Sequence, residues 1–169
     1  MHVAVARAGD ADELAEIAAR TFTLACPPAV TAENVASFVN AKLSRARFAE
    51  YLADPDRSIL AGRHDGRIVG YAMLIRDGDG EREGESAELS KLYVLPEWHG
   101  TGVAATLMEA VLVRAAAWGA RSVWLGVNQE NQRAQRFYVK SGFVVSGTRT
   151  FRLGTHVEND YVMTRAVAR

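Results

Sequence analysis

Residues 86–107, SAELSKLYVLPEWHGTGVAATL, constrain this chain more than any other stretch: an apolar strand, a proline, a glycine-rich turn and the start of a helix. Pro96 stops the strand that Val94 and Leu95 end, because proline has no N–H to give a ladder. Gly100 and Gly102 let the backbone take positive φ and leave no Cβ between the turn's N–H groups and a ligand. Beyond them, Val103, Leu107, Val111 and Leu112 fall near helical spacing with alanines between, which predicts a helix over 103–118. An anion at that helix start would meet unpaired N–H groups and the positive end of the helix dipole. Tight packing of a helix on a strand needs the same glycines. The turn alone therefore does not decide between a phosphate cradle and a structural corner.

A second strand-to-helix unit follows at 123–143, VWLGVNQENQRAQRFYVKSGF. With the first, it resembles the GNAT superfamily of N-acetyltransferases. The family's acetyl-CoA motif, Gln/Arg-x-x-Gly-x-Gly/Ala, is matched by His99, Gly102 and Ala104, with His99 standing where Gln or Arg is usual. The pattern Asn-x-x-Ala-x-x-Phe-Tyr-x-x-x-Gly-Phe is matched by Asn131, Ala134, Phe137, Tyr138, Gly142 and Phe143. Two motifs in the family's order, about thirty residues apart, are far more specific than either alone. The resemblance extends over nearly the whole chain.

At 169 residues the chain suits one domain, 1–169, with a substantial core. Twenty basic and twenty acidic residues cancel, so no global field favours nucleic acid or an anionic membrane. Cys26 is the only cysteine, which rules out an intrachain disulfide and argues against a structural zinc. No apolar run has bilayer-spanning length and no signal-peptide pattern opens the chain, so a soluble cytoplasmic protein is expected.

Alternation over 2–7 predicts a first strand. Asp10 with Glu13 reads as a capping box opening a helix whose apolar face is Leu14, Ile17, Ala18 and Phe22. Pro27-Pro28 breaks the chain, Thr31 caps a second helix, and a third covers 45–52 before Pro55. Residues 58–63 and 67–76 read as strands joined through Asp65-Gly66, a strong hairpin signal. The acidic, glycine-rich run 77–85 reads as a loop. Asp77, Asp79 and Glu81 there lack the terminal bidentate carboxylate of a calcium loop, and no metal is expected. Strands over 87–95, 122–127, 143–151 and 157–164 and a helix over 130–140 complete the order. It is the order expected of a GNAT fold: an α/β (α+β) chain with a mixed, twisted sheet of about seven strands flanked by helices. Two parallel strands, 87–95 and 122–127, would splay to admit coenzyme A.

The resemblance implies acetyl-CoA as co-substrate. It assigns the pyrophosphate to the turn His99, Gly100, Thr101, Gly102, Val103 and Ala104, and the pantetheine arm to the backbone of Leu92, Tyr93 and Val94. Asn131 would offer its amide to the arm, although an Asn near a helix start is also a natural cap. Tyr138, on the same helical face seven residues on, would act as general acid toward the departing thiolate and adjoin the cofactor. Its alternative is a packing role beside Phe137 and Phe143. Some members place their general base at the position of Glu88, which on an alternating strand would share a face with Ser90 and Leu92. A carboxylate there must be paired, solvated or functional.

The activity implied is acetyl transfer to a primary amine by direct attack, with Val94 N–H polarising the thioester oxygen and no cysteine nucleophile. Thr21-Phe22, Glu33-Asn34, Gly70-Tyr71, Glu88, residues 124–127 and the tail GTRTFRLG resemble bacterial PaiA-type spermidine/spermine acetyltransferases. That points to a small-molecule amine acceptor of polyamine type. Neither the first two helices nor the late loops are conspicuously acidic, as a polycation pocket should be. Amino-acid, antibiotic or protein N-terminal acetylation, or a non-catalytic acyl-CoA-binding regulatory role, stand as alternatives. Family members often dimerise through their late strands. His64, His156 and Cys26 show no partner pattern and read as structural or surface residues.

Overall fold

The computed structural model describes residues 1–26, 28–76 and 86–167. Strand β1 (His2–Val5) leads through a short 3-10 turn into three helices, α1 (Ala11–Ala25), α2 (Ala32–Lys42) and α3 (Arg45–Ala53). Strands β2 (Arg57–His64), β3 (Arg67–Arg76) and β4 (Ser86–Val94) follow, then α4 (Val103–Ala117), β5 (Ser122–Asn128), α5 (Gln132–Lys140), β6 (Val144–Leu153) and β7 (His156–Ala166). This is the predicted order. The run 77–85, with its calcium-loop reading, lies outside the described residues.

The sheet has seven strands in the order β1-β2-β3-β4-β5-β7-β6, open at both edges. Only the β4–β5 pair is parallel. The β2–β3 hairpin turns at Asp65 and Gly66, both at positive φ (50° and 78°), as the primed turns matching strand twist require. One face packs on α4 and α5 through Leu74, Ala87, Leu107, Val111, Val123 and Leu125. The other packs on α1, α2 and α3 through Leu14, Phe22, Phe48, Ile59, Tyr71 and Met73.

Two departures from the predicted local structure have plain causes. Asp10 and Glu13 do not form the expected box, because both carboxylates find better partners than their own helix. Asp10 accepts Arg7 N–H at 2.8 Å and pairs with Arg63 at 2.6 Å. Glu13 reaches across to accept Ile68 N–H at 2.8 Å, tying α1 to β3. Thr31 does cap α2, accepting Asn34 N–H at 3.1 Å.

The second departure reorients the site. Along β3–β4 the register shifts, Met73 facing Lys91 while Leu74 faces Leu89, so Ser90 is an extra residue on β4. A bulge of this kind flips the alternation beyond it. Ala87 and Leu89 point to the α4 side before it, and Leu92 and Val94 after it. Glu88 therefore does not share a face with Leu92, as strict alternation predicts. It lies on the α1–α3 side with Lys91 and Tyr93.

Candidate active site

One half of the site begins where β4 and β5 part. Their pairing covers only Ser86–Glu88 against Ser122–Trp124, although β4 continues to Val94 and β5 to Asn128. The predicted splay is present. Leu95 N–H donates to Val69 O at 2.9 Å, which makes Gly70–Val94 the non-bonded pair of the antiparallel ladder. The N–H and C=O of Val94, and by the same parity those of Leu92, thus turn away from β3 into the gap.

Beyond the gap, Gly100 and Gly102 have φ of 77° and 89°, and a Cβ on either would meet nothing within 4 Å. Conformation, not crowding, demands glycine there. Gly102 is the N-cap of α4 and supplies no side-chain cap. The first N–H groups of the helix therefore have no intrahelical partner and face open space, which fits an anionic phosphate. Val103 sends its side chain into the core and Ala104 is half-buried beside it. The Thr101 hydroxyl donates to Trp98 O, and Thr101 does not line the cavity, so only its backbone belongs to the turn.

His99 does a job that its place in the motif does not disclose. Its Nε2 lies 2.9 Å from Val94 O and its Nδ1 lies 2.8 Å from Arg133 Nη1. A carbonyl only accepts and a guanidinium only donates, so these partners require the neutral ring with hydrogen on Nε2. The ring links the end of β4 to α5 across the mouth of the splay. Asn131 lies just outside α5 rather than inside it. It is the N-cap, its Oδ1 accepting Ala134 N–H at 3.1 Å, which leaves its amide NH2 as the group able to reach the gap. Tyr138 packs edge-on to Phe137 and Phe143, and its hydroxyl hydrogen-bonds no other described residue. Burial pushes its pKa up to about 12, so the phenol stays protonated at neutral pH.

A cavity of about 980 Å³ joins this half to a second one. Its lining includes Leu92, Tyr93, Val94, His99, Gly100, Gly102, Val103, Ala104, Asn131 and Tyr138, and also Glu88. Lys91, Cys26, Arg149, Glu158 and Asp160, none of which sequence reasoning assigned to a site, line it too. Burial lowers the Lys91 amine to about 8 against the opposing pull of the Glu88 carboxylate. Burial raises Tyr93 well above the usual phenol range, reinforced by Tyr138, Cys26 and Asp160. It also raises the Cys26 thiol, with the Glu158 charge adding to the effect. Glu158 is held low by hydrogen bonds from Asn128 (3.0 Å) and His156 (2.5 Å), so His156 does have a partner. Asp160, only 5% exposed, is raised by burial despite Arg149 at 3.5 Å. A wall of α1 and α2 closes this half, with Phe22 and Phe38 stacked at 4.6 Å between ring centroids. The carboxylates missing from the helices and loops thus come from β4 and β7. One sequence signal pointed this way: Gly126, alone within a strand pattern, marks a close approach.

The chain is 70% identical over 156 residues, 92% of its length and 97% of theirs, to uncharacterized N-acetyltransferases of Mycobacterium tuberculosis and Mycobacterium bovis. Its fold superposes on the PaiA N-acetyltransferase of Thermoplasma acidophilum in complex with coenzyme A. That match has a TM-score of 0.81 at 22% identity and covers 98% of this chain and 99% of that one. An aminoglycoside 6'-acetyltransferase type Ii shares the fold at a TM-score of 0.75 and 16% identity, covering 100% and 99% of the two chains. Residues 12–143 match the acetyltransferase (GNAT) family, spanning the splayed strands, the uncapped turn and the Asn131–Phe143 motif. The chain belongs to that family, as an N-acetyltransferase that draws on acetyl-CoA.

Proposed function

We propose that this enzyme acetylates the primary amine of a small molecule by direct attack within one ternary complex. The observation that carries the reading is the continuity of the cavity: it runs from the uncapped start of α4, past the backbone of Val94, to Tyr138 and Glu88. Bound acetyl-CoA supplies an activated thioester. The amides of residues 100–104 hold its pyrophosphate, and the gap-facing groups of Leu92 and Val94 pair with the arm, the Val94 N–H polarising the carbonyl oxygen. Glu88 accepts the amine proton, directly or through water, and Tyr138, protonated at neutral pH, gives one to the leaving thiolate.

A polyamine acceptor draws support from Glu88, Glu158 and Asp160, but Lys91 and Arg149 share the space and oppose a polycation. The same proposal takes the enzyme to be cytoplasmic and metal-independent. It also takes it to dimerise through β6, where Val144 and Val145 are 65% and 55% exposed. No helix of the described residues is long and apolar enough to cross a membrane.

Thiol release from acetyl-CoA against a panel of amines tests the reading. Release that depends on an added amine is expected. Acetyl-CoA binding with no amine-dependent release would point instead to a regulatory acyl-CoA-binding domain.

A further inference from the structure

The acceptor half of the cavity is not a field of one sign. Glu158 is spoken for by Asn128 and His156. What remains are two opposite-sign neighbours, Glu88 with Lys91 and Asp160 with Arg149. The second pair is built with unusual care.

Arg149 stands opposite Asp160 on β6–β7, and Asp160 stands opposite Asn128 on β5. From β6 the Arg149 side chain crosses β7 and lays its guanidinium on β5 at Gly126, where a Cβ would collide with Nη2. Gly126 is not among the glycines at positive φ, so what it offers there is room for the guanidinium in this position rather than a special conformation. The Trp124 ring flanks the same group, 5.5 Å from its central carbon. Asp160 meets it only through Nε, at 3.5 Å. Neither Nη atom hydrogen-bonds a described residue, the side chain is 35% exposed, and Arg149 lines the cavity. The single long contact to Asp160 leaves most of the guanidinium's donors uncommitted. A guanidinium that lines a binding cavity, with neither Nη hydrogen-bonded to a described residue, keeps donors for a carboxylate.

Resting on the acetyl-transfer reading above, we infer that the acceptor is an α-amino acid whose carboxylate is received by Arg149. Its side chain lies against the apolar wall of Phe22, Phe38 and Leu43. A polycation would meet Arg149 and Lys91 instead.

Two measurements test this. In the first, thiol release is compared for L-phenylalanine, 2-phenylethylamine and spermidine, with the parent, Arg149→Gln and Gly126→Ala proteins. The parent should favour L-phenylalanine. Both variants should lower its kcat/KM by about 10- to 100-fold, the weight of a charge-assisted bidentate contact, while sparing 2-phenylethylamine. Gly126→Ala keeps the charge and merely displaces it. Equal use of the amine lacking a carboxylate, preference for spermidine, or an unchanged preference in Arg149→Gln would overturn the inference.

The second measurement is calorimetric titration of L-phenylalanine into enzyme loaded with coenzyme A. It reads acceptor binding whether or not transfer occurs, and coenzyme A affinity confirms that each variant is folded. Binding lost in Arg149→Gln, without thiol release in the parent, would retain the receptor and sink the transfer reading. Absence of binding in the parent would sink the receptor.

Discussion

The two halves of the cavity are made of different material. The half proposed for the cofactor is mostly backbone: amides of the turn at 100–104, the gap-facing edge of β4, and one side-chain strut, His99 to Arg133. The half proposed for the acceptor is side chains brought from β4, β5, β6, β7, α1 and α2. Backbone recognition at the turn needs only a local conformation, while the gap beside it needs only that β4 and β5 part. Side-chain recognition depends on what the tertiary fold gathers, and that is where one acetyltransferase can come to differ from another.

Tyr138 sits where the halves meet, and its loss should give the largest effect. Tyr138→Phe should lower turnover by about 10²–10⁴-fold, the range for a missing acid or base, and leave acetyl-CoA affinity unchanged. Near-normal turnover would assign the ring to packing beside Phe137 and Phe143. Glu88→Gln, on the acceptor side, should cost about 10²-fold at pH 7. Part of that should return at pH 9–10, where more of the acceptor amine is already free. Overlaid pH–rate profiles of parent and variant would remove Glu88 from the proton transfer.

Gly102→Glu probes the backbone half. Its open surroundings mean that the loss comes from a non-glycine at positive φ and from charge, not from a clash. Acetyl-CoA affinity by calorimetry should fall roughly 10- to 100-fold, and less for Gly102→Ala, which carries the strain without the charge. Equal effects of the two would show that charge at the turn is irrelevant and that no phosphate lies there.

The smallest effect concerns Lys91 and is one of stability. Its amine titrates near 8 in the folded protein against 10.5 ordinarily. At pH 7 it is charged in both states, and burial imposes its full cost. Between about 8 and 10.5 the unfolded chain keeps a proton that the folded one has shed, so stability rises with pH until the cost is gone. Lys91→Met should therefore stabilise by about 2 kcal/mol at pH 7, allowing for partial exposure, and by little near pH 10.5. Equal gains in thermal melts at the two pH values would put the amine in water.

The turn that opens α4 is legible in the sequence, because its determinants are neighbours along the chain. Gly100 and Gly102 declare the turn, Pro96 ends the strand, and Val103, Leu107 and Val111 declare the helix that follows. The hairpin at Asp65-Gly66 and the Thr31 cap are legible for the same reason: each is decided within four residues. Tyr138 is proposed through a family motif and Glu88 through the position where some members place a base, and both carry position but not orientation.

The order of strands and helices and the glycine turn before α4 thus follow from the sequence alone, because short-range backbone preference and hydrophobic period set them. The remainder belongs to the assembled fold. The extra residue at Ser90 turns Glu88 away from Leu92, a one-residue slip that no alternating pattern reveals. Asp10 and Glu13 abandon their helix start for Arg63 and Ile68, since a long-range charge or amide partner outcompetes a local cap. Arg149, Asp160 and Gly126 come together because β7 inserts between β5 and β6. Contacts between strands far apart in sequence are set by sheet order, and sheet order is a property of the whole chain.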